Sequence, residues 1–197
     1  MQEFDDLVQI IARLRDPVSG CPWDIKQTPK SLTANFIEEL YEAVEAIEDE
    51  DDVSLSEELG DLMLHIIFQA QIAVEEDRFD IREVLSKIND KLVRRHPHVF
   101  ADHHVEGAEA VKMNWERIKK REKKERKSVL EGIPRSLPGL IQAQRTQEKA
   151  ASVGFDWPDL QPVLAKLEEE QEEFHAALAS GQLENISEEL GDLLFTI

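Results

Sequence analysis

Apolar residues at Phe4, Leu7, Ile10, Ile11 and Leu14 recur every three or four positions, the spacing of one helix face. They predict a first helix that stops near Asp16-Pro17. A turn-rich stretch follows, DPVSGCPWDIKQTP. A second helix is expected from about Ser31 to Asp49, with Phe36, Ile37, Leu40, Val44 and Ile47 on one side. The acidic run EDEDD then makes a turn into a third helix, from about Val53 to Glu76. A fourth runs from about Asp80 to Arg94 and closes at RRHPHVF, where Pro97 interrupts it. A fifth starts near Ala108, carries Trp115 and leads into the basic tail KKREKKERK. No stretch alternates apolar and polar residues over a useful strand length, so the expected fold class is all-α.

The stretch GIPRSLPG, from Gly132, has the punctuation of a linker. Beyond it the pattern reads helix, a loop at GFDWPD, helix, short turn, helix. Here the chain repeats itself. SEELGDL at Ser56 returns at Ser187, and one offset of 131 residues also relates Glu38 to Glu169, Glu39 to Glu170 and Glu42 to Glu173. The same offset relates Glu58 to Glu189 and Asp61 to Asp192. An internal duplication is the economical reading. The expected organisation is a first helical domain over 1–127, a linker over 128–138 and the start of a second, incomplete domain over 139–197. The last helix stops in mid-pattern, as expected of a fragment of a longer chain.

Composition sharpens this picture in three ways. The formal charge of −19 disfavours a general nucleic-acid binder, which must neutralise phosphates. It also means that any anionic ligand needs a cation between itself and the carboxylates. No apolar stretch has the length of a membrane span, and MQEFDDL is acidic where a signal peptide would be basic. With a single cysteine, Cys21, no internal disulfide can form. A soluble cytoplasmic protein is expected, with Cys21 buried rather than reactive.

The repeated acids are the main chemical candidates. Glu38, Glu39 and Glu42 stand at i, i+1 and i+4, so two of them share a helix face. Glu58 and Asp61, at i and i+3, are also neighbours on one face. An antiparallel pairing of the two helices across the acidic turn brings four or five carboxylates into one small volume. Such crowding raises pKa values and calls for a compensating divalent cation; oxygen-only ligation favours Mg²⁺, with Mn²⁺ the alternative, over zinc. Flanking Leu40, Leu59, Leu62 and Leu64 place the acidic face next to core. Gly60 costs helix stability, and its recurrence points to a close approach by a helix, a ligand or a metal-bound group. Short acidic patterns also arise on solvated helix faces, the reading taken for Glu45, Glu48, Glu50, Asp51, Asp52, Glu75 and Glu76; the duplication tips the repeated set toward a site.

Other metal chemistry is weaker. The chain lacks HExxH and any Glu-x-x-His pair of the di-iron type. His65, four residues after Asp61, reads as a core or partly exposed histidine that could also face the site. His96, His98, His103 and His104 read as a structural turn. Lys91, Arg94 and Arg95 share a helix face and suit phosphate oxygens, or equally the carbonyl end of their helix. Trp115 and Lys119, at i and i+4, offer a ring and an ammonium to a nucleotide base and phosphate, although Trp115 also fits a core position.

These motifs together give a resemblance. GCPWDIKQT, EELYE at Glu38, ELGDL at Glu58, DKLVRRHPHVF, WERIK, IPRSLP, VGFDW, EEEQEE and ELGDL at Glu189 lie in order along nearly the whole chain. The chain resembles the MazG family of nucleoside triphosphate pyrophosphohydrolases, within the all-α NTP pyrophosphatases. The resemblance implies helical bundles completed by homodimerisation, and Mg²⁺-dependent hydrolysis of NTP or dNTP substrates to nucleoside monophosphate and pyrophosphate. It implies metal ligation by Glu39, Glu42, Glu58 and Asp61, and in the second copy by Glu170, Glu173, Glu189 and Asp192. Glu38 and Glu169 would position or activate water. Lys91, Arg94 and Arg95 match the phosphate-contacting stretch, and Trp115 with Lys119 the base-end contacts. The second copy has no counterpart of Lys91 to Lys119 within this chain, so it carries the acidic half of a site without the cationic half. The rival readings are a non-catalytic helical module that binds a nucleotide or protein, and a di-metal oxidase bundle that would need histidine ligands.

Overall fold

The computed structural model describes residues 2–101, 107–122 and 128–197, and among them there are helices and turns but no strand. Among the described residues nine α-helices follow in order: α1 Gln2–Leu14, α2 Thr33–Glu48, α3 Asp52–Glu75, α4 Ile81–Arg95, α5 Pro97–Phe100, α6 Ala108–Glu122, α7 Gly139–Ala151, α8 Leu160–Ser180 and α9 Leu183–Thr196. The all-α expectation holds. Pro97 ends α4 as expected, yet it opens the one-turn α5, because a proline at the first helical position loses no hydrogen bond. His103, His104 and most of the basic tail lie outside the described residues.

The chain divides into two compact units, Met1–Ile118 and Lys119–Ile197, with the boundary inside α6. In the first unit α3 is the hub, packed by α1, α2 and α4. Its core is Ile11, Leu32, Ile67, Phe68 and Ile72, with Phe4, Leu7, Val8, Leu14, Leu64 and Ile81 against it. In the second unit α8 packs on α9, and α7 packs on α9 as well.

One ion pair ties the loop after α1 to α3. Arg15, 8% exposed, binds Glu75 through Nε to Oε1 at 2.8 Å and Nη2 to Oε2 at 2.6 Å. The same guanidinium donates to the carbonyls of Asp24 and Gln27 and lies over the Phe68 ring. The loop itself is wound so tightly that a Cβ on Gly20 would stand 2.4 Å from the Leu14 carbonyl oxygen and 2.5 Å from that of Asp16. Cys21, in this loop, is half-buried.

The apolar stripe of α2 is not the face it buries. Its buried residues are Ala43 and Ala46, and the helix it packs on is α3. Small residues let the two helices approach closely. Ile37, Leu40, Val44 and Ile47 are therefore exposed, and only Phe36 of the predicted stripe is half-buried.

Candidate functional site: two acidic helical hairpins

Each copy of the repeat folds as a hairpin of two adjacent helices, and the turns explain how. After α2 the chain reverses through Glu50, whose φ of 55° lies in the left-handed region. Asp51 then caps α3, its carboxylate accepting from Val53 N at 3.0 Å and Ser54 N at 3.2 Å. At the same repeat offset the second copy has Gly181, with φ 69°, at the end of α8. Glycine takes this conformation without steric cost. The duplication read from the residues thus extends to the backbone of the turn.

The first hairpin faces the acids of α2 toward those of α3. One carboxylate oxygen from each of Glu39, Glu58 and Asp61 lies within 4.8 Å of the others, and all three residues are half-buried. Burial first, then the charges of Asp61, Glu42 and Glu58, push the Glu39 carboxyl from its ordinary 4.5 up to about 6. Glu42 is close enough to share a hydrogen bond with Glu39. Burial and the Glu42 and Asp61 charges raise Glu58 as well. Glu38 is exposed and stands outside the triad. Leu62 and Leu64 are half-buried beside the acids, whereas Leu40 and Leu59 are about half exposed.

His65 is buried, and it also faces the site. Its Nε2 lies 4.0 Å from Glu39 Oε1, and its ring stacks on Phe36. Burial lowers its pKa despite the nearby Asp61 charge. The two readings open at position 65 are both realised. Among the described residues, a Cβ at Gly60 or Gly191 would meet nothing within 4 Å, so no described helix approaches closely enough to require those glycines.

The second hairpin rebuilds the cluster from Glu170, Glu173 and Glu189, again within 4.8 Å. Glu170 is 5% exposed, and its Oε2 is buried without a hydrogen-bond partner. Burial, with the charges of Glu173, Asp192 and Glu170, raises Glu189. Here the residues alone left out one member: Lys166, whose Nζ lies 2.9 Å from both Glu169 Oε1 and Glu170 Oε1. Those carboxylates hold its pKa well above the usual lysine range. The signal was present in the repeat, since the position equivalent to Lys166 in the first copy is the neutral Asn35.

The cationic candidates lie on other helices. Lys91 and Arg94 are exposed on α4. Arg95 is buried, with its guanidinium 5.1 Å from the centre of the Trp115 ring. Trp115 is half-buried and also packs at 4.8 Å against His96, whose Nδ1 lies 2.7 Å from the Leu92 carbonyl oxygen. His96 therefore belongs to a structural turn, and Trp115 to a small aromatic–cation stack. Lys119 is half-buried one turn further along α6.

A divalent metal fits both clusters. The donors are all carboxylate oxygens, which suits a hard cation. The orphaned Oε2 of Glu170 is a buried acceptor with no donor to meet it. Exposed carboxylates need no ion, but buried ones raised by their neighbours are stabilised by one.

Known proteins place these features in a family. Residues 27–100 match the model of the MazG nucleotide pyrophosphohydrolase domain, and residues 140–197 match that of phosphoribosyl-ATP pyrophosphohydrolase. Each match contains one complete acidic hairpin. The chain is 47% identical over 199 residues to the nucleoside triphosphate pyrophosphohydrolase of Escherichia coli K12, covering 99% of this chain and 76% of that protein. It is 47% identical over 195 residues to the nucleoside triphosphate pyrophosphohydrolase/pyrophosphatase MazG of Thermotoga maritima, covering 98% and 73%. The crystal structure of a mazG-related protein from Thermotoga maritima superposes with a TM-score of 0.50 at 29% identity, over 59% of this chain and 98% of that one. With both hairpins matched and near-complete coverage at this identity, the chain belongs to the MazG family of nucleoside triphosphate pyrophosphohydrolases.

Proposed function

We propose that this chain hydrolyses nucleoside triphosphates to the monophosphate and pyrophosphate, with Mg²⁺ as the working ion. The observation that carries the reading is the gathering of three carboxylate oxygens within 4.8 Å in each hairpin, where burial and then the neighbouring charges push Glu39 up to about 6. Glu39, Glu42, Glu58 and Asp61 would hold the ion in the first copy, and Glu170, Glu173, Glu189 and Asp192 in the second. A bound divalent cation supplies positive charge between acidic walls and an anionic triphosphate, and makes water a stronger acid. Glu38 and Glu169, one residue before a ligand, accept the proton of the attacking water. The new bond forms from that water to the α-phosphorus, and the bond to the β-phosphate oxygen breaks, releasing pyrophosphate.

Lys91 and Arg94, exposed on one face of α4, bind phosphate oxygens. Trp115 takes the base end. The stack of Arg95 under Trp115 supports a role for that guanidinium in holding the ring. The exposed apolar side chains Ile37, Leu40, Tyr41 and Val44 on α2, with Leu59 and Met63 on α3, support assembly with a second copy of this chain.

Product analysis tests the reading. A panel of NTPs and dNTPs, incubated with the protein in Mg²⁺ or in EDTA, should yield pyrophosphate only with the ion. Orthophosphate as the first product would refute the chemistry. Glu42→Ala and Asp61→Ala, against Glu173→Ala and Asp192→Ala, report which copy turns over. Circular dichroism should show that each variant keeps its helices.

A further inference from the structure

The two hairpins carry the same acids but not the same charge balance. In the second, the Lys166 ammonium bridges Glu169 and Glu170 at 2.9 Å each. Glu170 is also a member of the metal-sized triad, with its second oxygen buried and unpartnered. In the first, the equivalent residue is the exposed Asn35, which brings no charge. His65 Nε2 stands 4.0 Å from Glu39 Oε1, beyond hydrogen-bond reach.

We infer that Lys166 is an internal counter-cation of the second carboxylate site, so that the two copies bind divalent ions unequally, the first more tightly than the second. The inference rests on the metal-site reading above and goes beyond it. A divalent ion entering the second site must either displace the ammonium from Glu170 or sit beside it. Displacement gives up two short ion pairs; coexistence sets like charges a few ångströms apart. Entry to the first site faces neither obstacle. The orphaned Glu170 Oε2 leaves the second site an oxygen for an ion, so Lys166 weakens the site without abolishing it.

The test is Mn²⁺ binding to the metal-free full chain, measured by calorimetry and by electron paramagnetic resonance of the free ion. With the first site disabled by Asp61→Ala, Lys166→Asn should tighten the remaining site on the order of fivefold, the scale of a surface ion pair that no longer has to be broken. Lys166→Arg, which keeps the charge, should leave the affinity low. In the intact chain, Asn35→Lys should weaken the tighter class of site. Unchanged or weaker binding in Lys166→Asn overturns the inference, as does an equal gain in Lys166→Arg. If neither hairpin of the unmodified chain binds Mn²⁺ at millimolar concentration, the metal-site reading falls and this inference with it. Two sites of equal affinity would instead sink the role of Lys166 alone.

Discussion

Replacing Glu39 by glutamine should stabilise the metal-free protein near neutral pH and destabilise the metal-bound one. The side chain is 22% exposed, and burial with three acidic neighbours raises its pKa from 4.5 to about 6. A carboxyl raised on folding carries no penalty below its unfolded value, where both states are protonated. The penalty grows as pH rises past 4.5 and is complete above about 6. The gap between the two values corresponds to about 2 kcal/mol of strain in the ionised folded state. Glutamine removes that charge and keeps a donor toward Glu42. In EDTA at pH 7.5, Glu39→Gln should therefore gain about 2 kcal/mol, which for a chain of this size is a rise in Tm of roughly 4–8 °C. At pH 4 the two proteins should unfold alike. Added Mg²⁺ should reverse the order at pH 7.5, because the ion binds the folded unmodified protein more tightly. Calorimetric scans at both pH values, with and without the ion, give all four numbers. A gain of the same size at pH 4, or none in EDTA at pH 7.5, would refute the electrostatic account of the cluster.

Two further outcomes concern the scaffold. Arg15 lowers the Glu75 pKa, so this pair contributes stability that is present above the unfolded glutamate pKa and lost as pH falls through the depressed folded value. Arg15→Ala should cost ~3 kcal/mol at pH 7, the low end for a buried pair because Glu75 is partly exposed, and urea titrations should show the loss shrinking in acid. Gly20→Ala forces a Cβ onto the Leu14 and Asp16 carbonyls and should cost about 1–3 kcal/mol by the same titration, with the acidic hairpins unaltered in Mn²⁺ binding.

What the residues revealed, and what they hid, follows from range. The acids at Glu39, Glu58 and Asp61 were legible because helix spacing and a short turn leave them few alternative placements. The repeat at Ser56 and Ser187 needed only comparison of the chain with itself. The stripe on α2 did not tell which face is buried, because close packing on α3 selected the small Ala43 and Ala46. Arg15 and Glu75 lie 60 residues apart, so no local pattern could pair them. His65 was visible as a histidine near the site, but its stacking on Phe36 and its approach to Glu39 depend on how two helices meet. Lys166 was a missed opportunity: its difference from Asn35 is written in the duplication.

That each acidic cluster is built from one helical hairpin has a consequence for how the molecule forms and how it arose. Every carboxylate of a cluster lies close to its partners along the polypeptide, so the loop that must close to assemble them is short, and formation should be quick and independent of distant segments. The same locality means that copying a brief run of codons copies a whole ligand set, which single neighbouring residues can then retune, as Asn35 and Lys166 differ here.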